Sequence, residues 1–409
     1  MKIIKTHTRI KKIGLAYSGG LDTSVIIKWL THHKKKVIAF FADLGQSSHK
    51  HIKKIKKRAY AYGAKKFYVI DGKQQLCQEA LKALQCSAFA FKTGTNKYYN
   101  TTPLGRIVTA ILITNKMTQK NIKIWCDGST YKGNDIERFL RYTLLTNTHI
   151  DFYKPWLDKT FIKDFKGRNT MSRYIKIQNQ YSMDTNLLGK TYEGGTIENL
   201  DTDISTIKYK WCTHLTNTTA INPEITLHIK HGKITKLNNK TQPLSKIFNK
   251  LNKLCGLKKI GITDQIEERV TGIKSRGIYE APAMELLHNI YERAISCLYD
   301  KTLIITRNYL GELLGHKLYE GKWFDDLATL IKTLGKTICK PINGKITCKL
   351  LNNQILFTNT KLKTTTYNKK LISMNDTATG FTGNDRIGYL NIIKTALNTS
   401  HTTKFKTLI

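Results

Sequence analysis

Short apolar runs alternate with helical patterns through the first part of the chain. Ile13–Tyr17, Val37–Ala42, Phe67–Ile70 and Ile122–Trp125 read as buried strands. Between them, Thr23–Leu30, Ile52–Tyr62, Gln74–Leu84 and Leu104–Met117 read as helices. Thr102-Pro103 supplies a capping Thr and a first-turn Pro for the last of these. Strand–helix alternation predicts an α/β unit with a parallel, Rossmann-like sheet over residues 1–168. Two polar loops, at Ser18 and Asp127, directly follow strands, and open α/β sheets bind their ligands at that end. After residue 168 the pattern changes. Ile225–Ile229 and Ile234–Leu237 flank a His231-Gly232 turn, and Ile346–Leu351 and Gln354–Thr358 flank Asn352-Asn353. With a helix over Glu285–Leu298, this predicts a second, α+β domain over 169–370. A short C-terminal arm over 371–409 follows, whose last stretch, Asn398–Ile409, is polar and unpatterned. There is no internal repeat.

Composition narrows the class. At 409 residues and 40% hydrophobic, the chain can bury two ordinary cores. The formal charge of +39 points to nucleic acid or an acidic membrane at first sight. However, Lys, Asn, Ile and Thr are abundant throughout while Gly and Pro are scarce, as drift in an AT-rich coding sequence would produce. The lysines run from Lys2 to Lys406 instead of gathering in one segment, so no specific nucleic-acid partner is expected. The net field still favours anions near a cleft. The eight cysteines contain no CxxC pair, which disfavours structural zinc and dithiol redox chemistry, and no metal ligands are assigned. No secretory signal and no run of the ~20 apolar residues that a membrane helix needs is present, so a cytoplasmic protein with reduced thiols is expected.

The first loop, Ala16-Tyr17-Ser18-Gly19-Gly20-Leu21-Asp22-Thr23-Ser24, is a polyphosphate cradle. Its glycines allow close backbone approach, and Ser18, Thr23 and Ser24 offer hydroxyls. A helix starting near Asp22 would point free N–H groups at the same place. It lacks the Lys-Ser/Thr ending of a Walker loop. The string SGGLDTS resembles the pyrophosphate loop of the N-type ATP pyrophosphatases, which transfer adenylate to a substrate and release pyrophosphate.

The second loop runs Asp127-Gly128-Ser129-Thr130-Tyr131-Lys132-Gly133-Asn134-Asp135-Ile136-Glu137-Arg138-Phe139. It can meet both ends of an amino acid, Arg138 pairing with a carboxylate and Asp135 with an amine. A solvated loop with one capping Asp would explain any single residue here, not the string. Its GNDxxRF core resembles the second signature of argininosuccinate synthase in its longer bacterial form. Tyr98–Arg106, Tyr153–Trp156, Lys274–Pro282 and Gly321–Phe324 resemble family segments in the same order, so the likeness covers about residues 10–390.

The resemblance implies a set of roles. Ala16, Tyr17, Ser18, Gly19, Gly20, Leu21, Asp22, Thr23 and Ser24 would hold the phosphates of ATP, which acts with Mg2+. Ala42, Gly128, Thr130, Asp135 and Asp184 would also contact the nucleotide. Thr130, Asn134 and Asp135 would take aspartate; Tyr98, Asn134, Arg138, Ser182, Thr191, Glu193, Glu267 and Tyr279 would take citrulline. Asp135, Ser18 and Asp22 are the candidate catalytic residues, with Asp135 the acid placed for the aspartate amine. Citrulline's ureido oxygen would attack the α-phosphorus of ATP, and aspartate would then displace AMP. The family also implies a homotetramer joined by a long helical arm, which the tail after Leu390 does not resemble. Two other departures are a shorter segment between Met171 and Ser182 and the string Cys255-Gly256-Leu257-Lys258-Lys259-Ile260-Gly261-Ile262, where the family carries basic and His residues. A tRNA-modifying pyrophosphatase would share the first loop but leave Asn134, Asp135 and Arg138 unexplained; an inactive copy would keep the fold alone.

Overall fold

The computed structural model describes the chain except for residues 177–181, 213–221, 370, 373–379 and 404–409. Two compact units are present, Met1–Thr364 and Thr365–Ile409. The first opens with β1 (Ile3–Ile4), β2 (Lys12–Ala16), α1 (Leu21–His32), β3 (Lys36–Asp43), α2 (His49–Ala61), β4 (Lys66–Asp71) and α3 (Lys73–Cys86). A small hairpin, β5 (Ala90–Thr93) and β6 (Asn96–Tyr98), precedes α4 (Thr101–Gln119), β7 (Ile124–Cys126), α5 (Asp135–Thr146) and β8 (Asp151–Tyr153).

The sheet order is β1-β8-β7-β2-β3-β4, with every neighbouring pair parallel. This Rossmann-like arrangement winds outward from β2 in one direction and from β7 in the other. The loops after β2 and β7 are therefore neighbours at the reversal point, where a crevice opens. Residues along β3 alternate between the faces. Val37, Ala39 and Phe41 pack with Val25 and Trp29 of α1 and Ile55 of α2, while Ile38, Phe40 and Ala42 join Leu76 of α3 and Leu104 and Ile107 of α4. Burial on both faces is why β3 reads as an unbroken apolar run.

Two short helices, α6 (Lys159–Asp164) and α7 (Arg168–Ile175), lead onward. β9 (Ser182–Thr185), β10 (Lys190–Glu193), β14 (Ile262–Glu268) and β15 (Lys274–Glu280) form an antiparallel sheet in the order β14-β15-β10-β9. The two hairpins expected from the sequence are β11–β12 (Glu224–Lys230, Lys233–Leu237) and β16–β17 (Gly344–Leu351, Gln354–Leu362). They share one sheet through β11–β16 pairing, and β13 (Lys240–Thr241) adds an edge. Helices α8 (Leu244–Gly256), α9 (Pro282–Leu298), α10 (Lys301–Tyr319) and α11 (Asp326–Cys339) complete the unit. Their apolar faces continue the core begun by α3 and α4: Leu84, Phe248, Leu287, Leu314 and Ile331 belong to one cluster.

Three local expectations are corrected. α1 begins at Leu21 and not at Thr23, because the carbonyl of its N-cap Gly20 already accepts the first helical bond, from Ser24 N at 3.1 Å. α4 begins at Thr101, so Thr102 is inside the helix. Its cap is Asn100, held at φ 48° by accepting from Ala90 N (3.2 Å) and donating to Gly315 O (2.8 Å). In the second unit, α12 (Gly383–Thr403) runs through Asn398, where the sequence shows no pattern. No helix among the described residues is long and apolar enough to cross a membrane.

Candidate functional site

A cleft of about 510 Å³ lies at the sheet's reversal point. Its wall includes Ala16–Thr23, Ala42, Asp127, Gly128, Ser129, Arg106, Asp135 and Asp184. The first loop turns at Gly19, whose φ of +80° favours glycine and where an added Cβ would lie 2.9 Å from Ile55. Ser18 Oγ lies 3.1 Å from Thr23 Oγ1, so the two hydroxyls brace the turn. Ser24 is placed differently from its neighbours. It is fully buried beneath the loop with its hydroxyl 3.1 Å from that of Tyr17. Asp22 stands in the first turn of α1. Burial raises its carboxyl's pKa, and Arg168, 4.0 Å away, opposes the shift.

The second loop is fixed from below. Asp127, almost completely buried, receives Trp125 Nε1 at 2.6 Å and Ser129 N at 2.9 Å, and pairs with the buried Lys154 ammonium. An added Cβ at Gly128 would lie 3.2 Å from Asp22 and Thr23, so the two loops touch there. Thr130 is exposed beyond this turn. Asn134 and Asp135 open α5.

An ionic chain leads inward from the cleft. Arg106, on α4, donates from Nε to Asp135 Oδ2 at 2.8 Å and pairs through Nη2 with Asp184 on β9. The other oxygen of Asp135 receives Arg138 Nη1 at 3.1 Å. Burial alone would raise the Asp135 pKa, but the two guanidinium groups outweigh it and hold the carboxyl below its ordinary range. Asp135 therefore stays ionised and is a weak proton acceptor.

Arg138 crosses into a buried aromatic cluster of Tyr98, Tyr279 and Tyr319. Its Nε donates to Tyr319 O at 2.8 Å, and its guanidinium lies 4.8 Å over that ring. Tyr98 and Tyr279 stack with centroids 4.2 Å apart. Tyr279 donates to Glu267 Oε1 at 2.7 Å. This bond runs back along β15 over Gly277, where an added Cβ would lie 2.5 Å from the Tyr279 oxygen. Asn134 spans the rim, donating to Tyr319 Oη at 2.9 Å and accepting from Val270 N at 3.0 Å. Thr191, buried on β10, meets Thr102 Oγ1 at 3.2 Å.

Among the described residues, two buried atoms in this cluster lack hydrogen-bond partners: Arg138 Nη2 and Glu267 Oε2. A buried donor and a buried acceptor left open are costly unless a ligand completes them. Glu193, nearby on β10, is pushed up to about 7 by burial and by the Glu267 and Asp184 carboxylates. Burial also raises Glu267, against the Tyr279 bond and Arg138. The backbone of Ser182 pairs with Glu193, but its side chain lies outside the described residues.

Among the residues assigned from the sequence, the nucleotide set other than Ser24 and Thr130 therefore lines one cleft. Arg138, Tyr98, Glu267 and Tyr279 form a second cluster, and Asp135 joins the two. The sequence reading missed Arg106, Tyr319 and Lys154 as site residues. Arg106 and Lys154 lie inside the family-like segments and could have been found there. Tyr319 ends α10 just before such a segment and carries no signal of its own.

The family model for the arginosuccinate synthase N-terminal HUP domain matches residues 12–177, and that for the arginosuccinate synthase C-terminal domain matches residues 181–400. The chain belongs to the arginosuccinate synthase family. Among solved structures, it is similar to an NMN synthetase from Francisella tularensis at 12% identity, with a TM-score of 0.27 over 42% of this chain and 63% of that one. It is also similar to an NH3-dependent NAD synthetase from Campylobacter jejuni at 13% identity, with a TM-score of 0.28 over 42% and 66%. The matched part thus spans less than two thirds of either structure.

Proposed function

We propose that this protein joins citrulline to aspartate at the expense of ATP, giving argininosuccinate, AMP and pyrophosphate. The observation that carries this reading is the Asp184–Arg106–Asp135–Arg138 chain. It joins a phosphate-loop cleft to a buried cluster with one open donor and one open acceptor. An α-amino acid is complementary to such a pair, its carboxylate to Arg138 Nη2 and its ammonium to Glu267 and Glu193. In this reading the cluster holds citrulline and the cleft holds ATP.

The ureido oxygen of citrulline attacks the α-phosphorus and the bond to pyrophosphate breaks. The amine of aspartate then attacks the activated carbon, and AMP leaves with the oxygen. No side-chain nucleophile is required. The protein's contribution is alignment and charge: the Gly19 turn and the first N–H groups of α1 receive the departing phosphates. Asp22 supplies a hard oxygen beside those phosphates, fitting Mg2+, which would neutralise charge on the leaving pyrophosphate. Asp135, held ionised, anchors the aspartate ammonium. Residues 1–168 supply the nucleotide loop together with Tyr98, Asp135 and Arg138, 169–370 supply Asp184, Glu193, Glu267 and Tyr279, and 371–409 form an arm of a cytoplasmic homotetramer.

Pyrophosphate release from MgATP by the purified protein tests the reading, with citrulline and aspartate supplied separately and together. Turnover that needs both amino acids and yields AMP supports it. A folded protein that binds ATP but releases nothing when both are present would sink it.

A further inference from the structure

Helix α2 reads HKHIKKIKKRAYA from His49 to Ala61, with six lysines and arginines and no acid. Across the whole chain, 68 basic residues accompany 29 acids, so this density exceeds the general drift. Among the described residues, none of these six cations joins an ion pair. Like charges three and four apart, such as Lys50 with Lys53 and Lys54, repel along the helix, and its first turn holds no acid to meet the dipole. The helix is held instead by Ile52, Ile55 and Ala59, which are buried.

Its position links that charge to the cleft. Ile55 packs on Gly19, the turn of the phosphate loop, and Ser47 and His51, at the helix's start, line the cleft. Helical spacing places Lys54 and Arg58, three and seven residues on, along the His51 side, with Lys50 and Lys57 in the adjoining row. The Arg58 charge reaches the Tyr17 phenol in the loop, lowering its pKa against the effect of burial.

We infer that α2 is an electrostatic collector for the nucleotide: its unpaired cations and positive helix end draw the triphosphate to the first loop. This rests on the reading of the cleft as an ATP site. Steering of this kind acts on association and fades as salt screens it over about a Debye length, ~8 Å at physiological strength.

The test compares ATP association by stopped flow over a range of salt for three proteins. They are the natural chain, a Lys50→Glu/Lys54→Glu/Lys57→Glu variant, and a control, Lys233→Glu/Lys236→Glu/Lys240→Glu. The control carries the same charge change on exposed positions of β12 and β13, at one edge of their sheet. At low salt the α2 variant should associate roughly tenfold more slowly, within the range of electrostatic steering. The gap should close at high salt, with turnover at saturating substrates unchanged and the control nearly unaffected. The Lys→Gln triple at the same α2 positions should fall between, guarding against a folding defect from charge reversal. An equal loss in the control would assign the effect to net charge and overturn the inference, as would unchanged association in the α2 variant. A variant with slowed association at every salt concentration would also overturn it. Normal steering in a protein that fails to join the amino acids would defeat the ligase reading and leave this one standing.

Discussion

Asp135 and Glu193 are both acids at the junction of the two sites, yet their surroundings drive them apart. Asp135 faces two arginines and is held low; Glu193 is buried beside two carboxylates and is pushed up to about 7. Replacing Arg106 with Gln removes the cation that Asp135 and Asp184 share. Breaking such a partly buried pair costs roughly 3 kcal/mol. Turnover should fall, the KM for aspartate should rise, and the pH profile should shift upward as Asp135 becomes easier to protonate. An unchanged pH profile with a merely lower melting point would mean that Arg106 serves packing alone. For Glu193 the sign is opposite. Its folded pKa is raised above 4.5, so the stability it confers is full below that value and lost as pH rises through about 7. Glu193→Gln should therefore flatten the stability curve of the ligand-free protein between those values. If Glu193 meets the citrulline ammonium, citrulline should bind more weakly as pH falls below about 7, and the Gln variant should lose that dependence. Calorimetric titration across pH measures it.

At the scale of elements, the site depends on pieces of chain that side chains lock in place. β15 carries Tyr279 to Glu267 only because Gly277 leaves room beneath the ring. Gly277→Ala should push the Tyr279 hydroxyl away and weaken citrulline binding at least tenfold while ATP affinity holds, as parallel titrations would show. Loss of both affinities would mean that the whole sheet has shifted. The sequence made the β2–α1 and β7–α5 loops legible, since apolar runs ending in Gly-rich polar strings have few other uses. The two hairpins also stand out, but not their union through β11 and β16, because pairing between distant strands leaves no local periodicity. The cap of α4 was hidden for a related reason: Asn100 is held by Ala90 and Gly315, far along the chain. Arg106 likewise gains its meaning only when Asp135 and Asp184 arrive from elsewhere.

Over the whole molecule, residues 365–409 form their own unit, and α12 exposes Ile387, Tyr389, Leu390, Ile392 and Leu397. An arm that joins subunits would cover such residues. Deleting 365–409 should lower the number of subunits per sedimenting particle while the remaining unit keeps a cooperative melt. An unchanged subunit number would remove the arm from assembly. Within residues 1–364 the situation is reversed. The two family models divide the chain between residues 177 and 181, yet Leu76 and Leu84 of α3 share one apolar cluster with Phe248, Leu287 and Leu314. An isolated N-terminal half would present that face to water and aggregate, whereas the two halves expressed together as separate chains could reunite around it. A graft obeys the same physics: a foreign N-terminal half would fit here only if it brought its own complement to Phe248, Leu287 and Leu314.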